Sequence, residues 1–260
     1  MRSTLVRRTV LTASAVSLAL LATACGSDKA DTKGDAKPDP RPSAPSAAPA
    51  AKGKSDAELS GLLVTQADVP DYVVNAQAAA KLSKVDENQL TTDKAACKVL
   101  VQTQALQKIG KPAGVARTAL GAKPKEPAAG ASPEEKLEAV KNALGTTVTA
   151  TGLSSYDGQG AQETLAAFKT AGQICAGGFS STSEGETTKY ESVAAGPAVT
   201  VGDEAVSLSL TIDLEGGDKG TLLLVMARKG GTVASFSSIS LLGKADSPTA
   251  LIDAQAKKLG

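Results

Sequence analysis

The chain has 260 residues, no histidine, no tryptophan, three tyrosines and three phenylalanines, and 28 basic residues against 27 acidic ones. Without histidine there is no imidazole to act as base or metal ligand, which removes Ser-His-Asp hydrolysis and the common zinc-hydrolase sites. Balanced charge and so few aromatic rings remove the basic footprint and the stacking platforms on which nucleic-acid binding depends.

Arg2, Arg7 and Arg8 form a positive front end, residues 9–21 are apolar and uncharged, and Leu20, Leu21, Ala22, Thr23, Ala24 lead into Cys25. That is the layout of an export signal. Its apolar run is shorter than the roughly 20 residues that span a bilayer. The close of the segment resembles the bacterial lipobox, although Ala22 stands where a large aliphatic residue is usual. The resemblance implies cleavage before Cys25 and acylation of its thiol; two or three acyl chains on one residue hold a protein firmly where one holds it marginally. A secretory signal cut elsewhere, with Cys25 discarded, is the alternative. Arg7 and Arg8 also loosely fit a twin-arginine signal, so the export route stays open. Cleavage removes three of the 28 basic residues and none of the 27 acidic ones, leaving a formal charge of minus two.

Residues 26–55 are Ala, Pro, Lys, Asp and Ser with almost nothing to bury, and such a segment cannot offset its ordering entropy. It is predicted to be a mobile tether reaching on the order of 30 Å root mean square. The organisation read from the sequence is therefore a signal peptide over 1–24, a lipid-anchored Cys25 with a linker to 55, and one extracytoplasmic domain over 56–260. That last length suffices for one substantial core.

Within the domain, Ser55 and Glu58 predict a capped short helix with Leu59, Leu62 and Leu63 on one face. Pro70 stops it, and 72–74 reads as extended. Thr92 is read as the cap of a second helix carrying Ala96, Cys97, Val99, Leu100, Thr103 and Leu106 at helical spacing. Residues 110–130 are rich in Gly, Pro, Ala and Lys and read as a loop-rich insertion with one weak strand near 115–120. Ser132, Pro133 and Glu135 open a further helix through Leu144. Residues 146–153 are extended, and 159–176 predicts a helix with Leu165, Phe168, Ala171 and Gly172 inward and Cys175 near its end.

The C-terminal part alternates or runs apolar over 189–195, 204–214, 221–228 and 233–240. Turns at Gly216 with Gly217 and at Gly230 with Gly231 make this an antiparallel meander. Ser247 and Pro248 open a last helix with Leu251, Ile252, Gln255 and Leu259 as its apolar stripe. The fold class expected is α+β: an antiparallel sheet of about five to six strands with helices packed on one face.

Cys97 and Cys175 are an even pair in an exported chain, where thiols are oxidised, so a disulfide is the first reading. Two separate buried thiols are the alternative; two sulfurs without histidine leave zinc short of its usual ligands.

Leu63, Val64, Thr65, Gln66, Ala67, Asp68, Val69, Pro70, Asp71 and Tyr72, the two helices bearing cysteines, the run Gly202, Asp203, Glu204, Ala205, Val206, and the hairpin Ala227 to Thr232 follow one another in a telling order. This order resembles the PknH-like extracellular domain of actinobacterial receptor kinases and of secreted lipoproteins related to mycobacterial LpqN. The resemblance implies a curved antiparallel sheet flanked by helices and a role in sensing or binding outside the cell. It transfers no ligand-contacting residue.

Residues that invite a catalytic reading have simpler ones. Glu134 and Glu135 suit the positive end of a helix, and Asp203 with Glu204 suits a turn before a strand. Gly216, Gly217, Asp218, Lys219 and Gly220 join two strands, with no helix to receive a phosphate. Lys169 with Ser154 or Ser155 is a chance pairing in a chain rich in both. The reading assigns no catalytic residue, no metal site and no cofactor; it leaves the ligand-binding residues and the oligomeric state unidentified. It expects a membrane-anchored, non-catalytic lipoprotein that binds a small ligand or an envelope protein, with 222–226 as a core strand rather than a ligand-lining one. Alternatives are a structural envelope protein and a carboxylate-dependent enzyme.

Overall fold

The computed structural model describes residues 52–260 apart from 76, 79–80, 82–88, 124–126, 128, 145–146, 215–217 and 241–244. Cys25 with its lipobox, the tether up to residue 51, and the turn glycines Gly216 and Gly217 lie outside the described residues. Residues 48–260 form one compact unit.

The meander read from alternation is the centre of one antiparallel sheet. Its strands are β1 (Tyr72–Val74), β2 (Thr91–Thr92), β3 (Gly114–Ala122), β4 (Val148–Ser155), β5 (Phe179–Ser183), β6 (Glu186–Ala195), β7 (Glu204–Asp213), β8 (Lys219–Lys229) and β9 (Thr232–Ser240), in the spatial order β1-β3-β4-β9-β8-β7-β6-β5-β2. Lys229 pairs with Thr232, so Gly230 and Gly231 are the two-residue turn expected, Gly230 at φ +56°. Five α-helices among the described residues complete the fold: α1 (Asp56–Leu62), α2 (Lys98–Gln104), α3 (Pro133–Leu144), α4 (Gly160–Ile174) and α5 (Thr249–Leu259).

Two expectations need correction. The sheet has nine strands among the described residues, not five to six, and helices cover both of its faces, not one. On the front face α2 and α4 bury Leu100, Leu165 and Phe168 against Leu210, Leu222, Leu224 and Met226. On the back face α1 and α5 bury Leu59, Leu251 and Ile252 against Leu153, Leu223, Val225 and Phe236. The unbroken apolar run of β8 is what a strand covered on both sides requires, since alternation marks only a strand with one wet face. Each of these large side chains contributes roughly 1.5–3 kcal/mol on burial.

The extra strands come from segments with little apolar signal. The weak strand of the expected insertion is β3, nine residues long and paired with β4 from Gly114 to Gly121. β5 is Phe179 followed by Ser and Thr, and β2 has two residues. Thr92 caps no helix: it lies in β2, and its hydroxyl donates to Lys94 O before a 3-10 turn over Ala95–Cys97 leads into α2.

The edge strand β1 is closed by one side chain. Tyr72 N donates to Val69 O, Gln66 Nε2 donates to Tyr72 O, and Val74 N donates to Gln66 Oε1. Three outward-facing backbone groups of a three-residue strand, Tyr72 N, Tyr72 O and Val74 N, are thereby used, which hinders pairing with another chain. Gln255, fully buried in α5, does the same for the turn after α1: Val64 N donates to its Oε1 at 3.1 Å and its Nε2 donates to Leu62 O at 2.8 Å.

Candidate functional site

Helices α2 and α4 run side by side in opposite directions on the front face. At one end Cys97, which begins α2, and Cys175, which ends α4, form the expected disulfide with Cα atoms 5.9 Å apart. Closing a loop with a sequence separation of 78 restricts the unfolded chain by roughly 4 to 5 kcal/mol in the chain-entropy model. At the other end the turn closing α2 faces the first turns of α4 across a small cavity.

That turn is a Schellman cap: Gln107 N donates to Gln102 O and Leu106 N to Thr103 O. The geometry needs a left-handed residue, normally glycine, yet Leu106 takes it at φ +50°. The strain, on the order of 1 kcal/mol, is offset because Leu106 is buried against the bare backbone of Gly152. The turn drives the next side chain inward: Gln107 is 6% exposed, and its Oε1 is buried with no hydrogen-bond partner.

Gln107 lines an inner cavity of about 10 Å³ together with Arg117, Ser154, Tyr156, Thr164 and Ser235, room for one water-sized group. Arg117 Nε is held by Leu106 O. Outside this cavity lies an open groove of about 510 Å³, lined by Ile109, Lys111, Tyr156, Asp157, Glu163 and Thr164 among others. Ile109, Tyr156 and Thr164 belong to both hollows, and the partition is one hydrogen bond thick: Tyr156 Oη donates to Ile109 O at 3.0 Å. Burial pushes the Tyr156 phenol above its ordinary range, against the opposing pull of hydrogen bonds with Thr164 and Ser154. The Tyr156 side chain packs against Gly160, where a Cβ would come within 2.9 Å of its Cβ and 3.0 Å of the ring.

The chain joins the fold beside this groove. Gly53 N donates to Asp157 Oδ1 at 2.8 Å and Lys54 N to Ser155 Oγ at 2.9 Å. These residues, counted with the tether in the sequence, are thus bonded into the domain.

The other residues singled out in the sequence do not converge on a site. Ser155 serves Lys54, and Lys169 lies 3.8 Å from Glu204, so no Ser and Lys pair forms. Glu135 accepts from Ser132 N at 2.7 Å in a helix cap. Asp203 accepts from Gly230 N at 2.7 Å and from Arg228 at 3.0 Å, which fastens the β8–β9 hairpin and lowers its pKa. Leu222 to Met226 are core, as expected. A second hollow of about 430 Å³, beside Asp93, Phe179 and Tyr190, is shallow and wide open. Its Lys94 and Asp93 side chains are already bonded, to Gly178 O and Ser180 N. Among the described residues, no group of three or more His, Cys, Asp or Glu is placed to hold a metal ion, and no helix is long and apolar enough to cross a membrane.

No protein-family model and no curated protein sequence matches the chain. Among solved structures it is similar to the extracellular domain of PknH from Mycobacterium tuberculosis, with 11% sequence identity over 80% of this chain and 96% of that one, and a TM-score of 0.44. The groove residues went unnoticed in the sequence because the turn that aims Gln107 inward lacks the glycine that marks such turns.

Proposed function

We propose that this protein is an extracytoplasmic lipoprotein, held to the membrane through acylated Cys25, whose domain binds a small ligand in the groove between the closing turn of α2 and the start of α4. The observation that carries the binding reading is the groove itself: an open hollow backed by a buried acceptor, at the free end of a helix pair whose other end is covalently fixed. Its volume falls in the range of small-molecule sites. A buried disulfide is a further support for an oxidising compartment. Of the carboxylate pairs singled out in the sequence, Glu135 is spent on a helix cap and Asp203 on a hairpin, which favours binding over catalysis.

The test is mass spectrometry on protein extracted gently from membranes. Intact mass is expected to show a chain beginning at Cys25 with added acyl mass, and the native spectrum a retained small molecule. A mature chain starting elsewhere without acyl mass removes the anchor; a domain that is always empty removes the binding reading.

A second reading, contact with an envelope protein, has its own observation. Val73 and Val148 flank Gly121 in one register row across β1, β3 and β4, and both valines are nearly half exposed, at 47% and 46%. Protection of this row from labelling in intact cells, and its exposure in the purified protein, would favour it.

A further inference from the structure

We infer that the ligand of this groove is a neutral saccharide or similar polyol, one of whose hydroxyls passes the Tyr156 phenol and donates to Gln107 Oε1. The inference rests on the binding reading above and adds the chemical class.

The inner cavity sets the terms. It contains a buried acceptor without a donor, surrounded by the hydroxyl-bearing side chains of Ser154, Tyr156, Thr164 and Ser235. An acceptor left dry costs roughly 1–3 kcal/mol, so the position calls for a donor. A protonated amine would donate but not accept, and it would have to settle beside the Arg117 guanidinium, which lines the same cavity. A phosphate or carboxylate would find the Arg117 guanidinium but would press its own charge on the Gln107 lone pairs, and it is too large for a cavity of about 10 Å³. A hydroxyl both donates and accepts: it gives its proton to Gln107 Oε1 and takes one from the Ser235 hydroxyl, which lines the same cavity. Its size also suits a cavity that admits one water-sized group.

The outer groove agrees. Lys111, Asp157 and Glu163 line the groove together, a net of one negative charge that disfavours an anionic ligand, while Ile109, Tyr156 and Ala167 give apolar surface. Mixed polar rim and apolar floor suit the two faces of a sugar ring. Asp157 spends one oxygen on Gly53 N, and Glu163 and Gln159 supply further polar groups.

The experiment uses the full exported domain with its disulfide intact and a panel of neutral probes, namely glucose, sucrose and a trimer of N-acetylglucosamine, with inorganic phosphate as the charged control. Backbone amide shifts are followed by NMR. The expected result is saturable movement of signals from 107–111 and 156–167 with at least one sugar and none with phosphate. Gln107→Leu is expected to weaken that sugar at least tenfold while leaving the rest of the spectrum in place. Ala167→Trp, which fills the outer groove without touching the inner cavity, is expected to weaken it equally and guards against a Gln107 variant that folds poorly. Saturable sugar binding that both variants leave unchanged overturns the inference, as does a panel without any effect. A high-resolution crystal structure with sugar present that shows an ordered water only at Gln107 overturns it too. In each of these cases a molecule retained in the native spectrum of membrane-extracted protein would still stand for the binding reading, so the two fail separately.

Discussion

The two faces of the sheet use the same side chain to opposite ends. On the back face Gln255 is fully buried and both ends of its amide are bonded, to Val64 N and Leu62 O; at the neighbouring edge Gln66 spends both ends on β1. On the front face Gln107 is nearly as deep, and its oxygen has no partner among the described residues. A buried amide with both partners is a fastening. One whose acceptor is left dry lowers stability and is explained when something from outside supplies the donor. On the binding reading proposed above the faces divide the labour: the back holds the chain, and the front, clamped at the disulfide, receives.

The contrast can be broken at its strongest point first. Reducing Cys97–Cys175, or replacing both with serine, is expected to lower stability by about 4 kcal/mol, an upper figure because native strain subtracts from it. Urea unfolding with and without reductant measures it. An unchanged midpoint would mean the front face needs no clamp.

Next in size, and sharpest for the comparison, are the two glutamines. Gln255→Leu leaves Val64 N and Leu62 O dry and is expected to cost about 2–4 kcal/mol. Gln107→Leu strands no partner and is expected to be neutral or to stabilise by up to about 1 kcal/mol. Equal losses in the two variants would erase the distinction between fastening and receiving. Opening the β1 edge with Gln66→Ala is expected to cost about 1 kcal/mol and to produce concentration-dependent association, read by sedimentation.

The smallest effect is electrostatic. Asp68 is held at a pKa of about 2, first by the hydrogen bond from Lys258 and then by those from Thr65 N and its hydroxyl. Because the folded value lies below the ordinary one, its contribution is complete above about pH 4 and is lost as pH falls toward 2. Asp68→Asn is expected to lower stability above about pH 4, where the carboxylate's contribution is complete, and to flatten the fall of the stability profile toward pH 2.

Much of this was legible in the sequence where a residue's role is local. Ser55 with Glu58 and Ser132 with Glu135 read as caps three residues apart and are caps. Leu165, Phe168 and Ala171 on α4, and Leu251, Ile252 and Gln255 on α5, face inward at the spacing expected. What failed depends on neighbours. β3 is mostly Ala, Gly and Thr, with Leu120 as its one large buried side chain, and the Ser-rich β5 owes its place to pairing with β6. The number of covered faces was encoded in the unbroken apolar run of β8, which reads equally as a strand with one helix layer until the packing is seen. The segment around Thr65, Gln66 and Asp68 carried the family resemblance, and the structure gives it a structural duty: it seals an edge and ties down α5. The groove left no trace, because a leucine occupies the turn that a glycine would have advertised.

Gly53 and Lys54 are bonded to Asp157 and Ser155, on the rim of the groove and at the end of the strand beneath it. The chain ahead of Gly53 is therefore fastened to the mouth of the groove and to the end of β4 together. If that chain is the membrane tether and the groove the binding site proposed above, tension on the one and occupancy of the other would bear on the same few bonds.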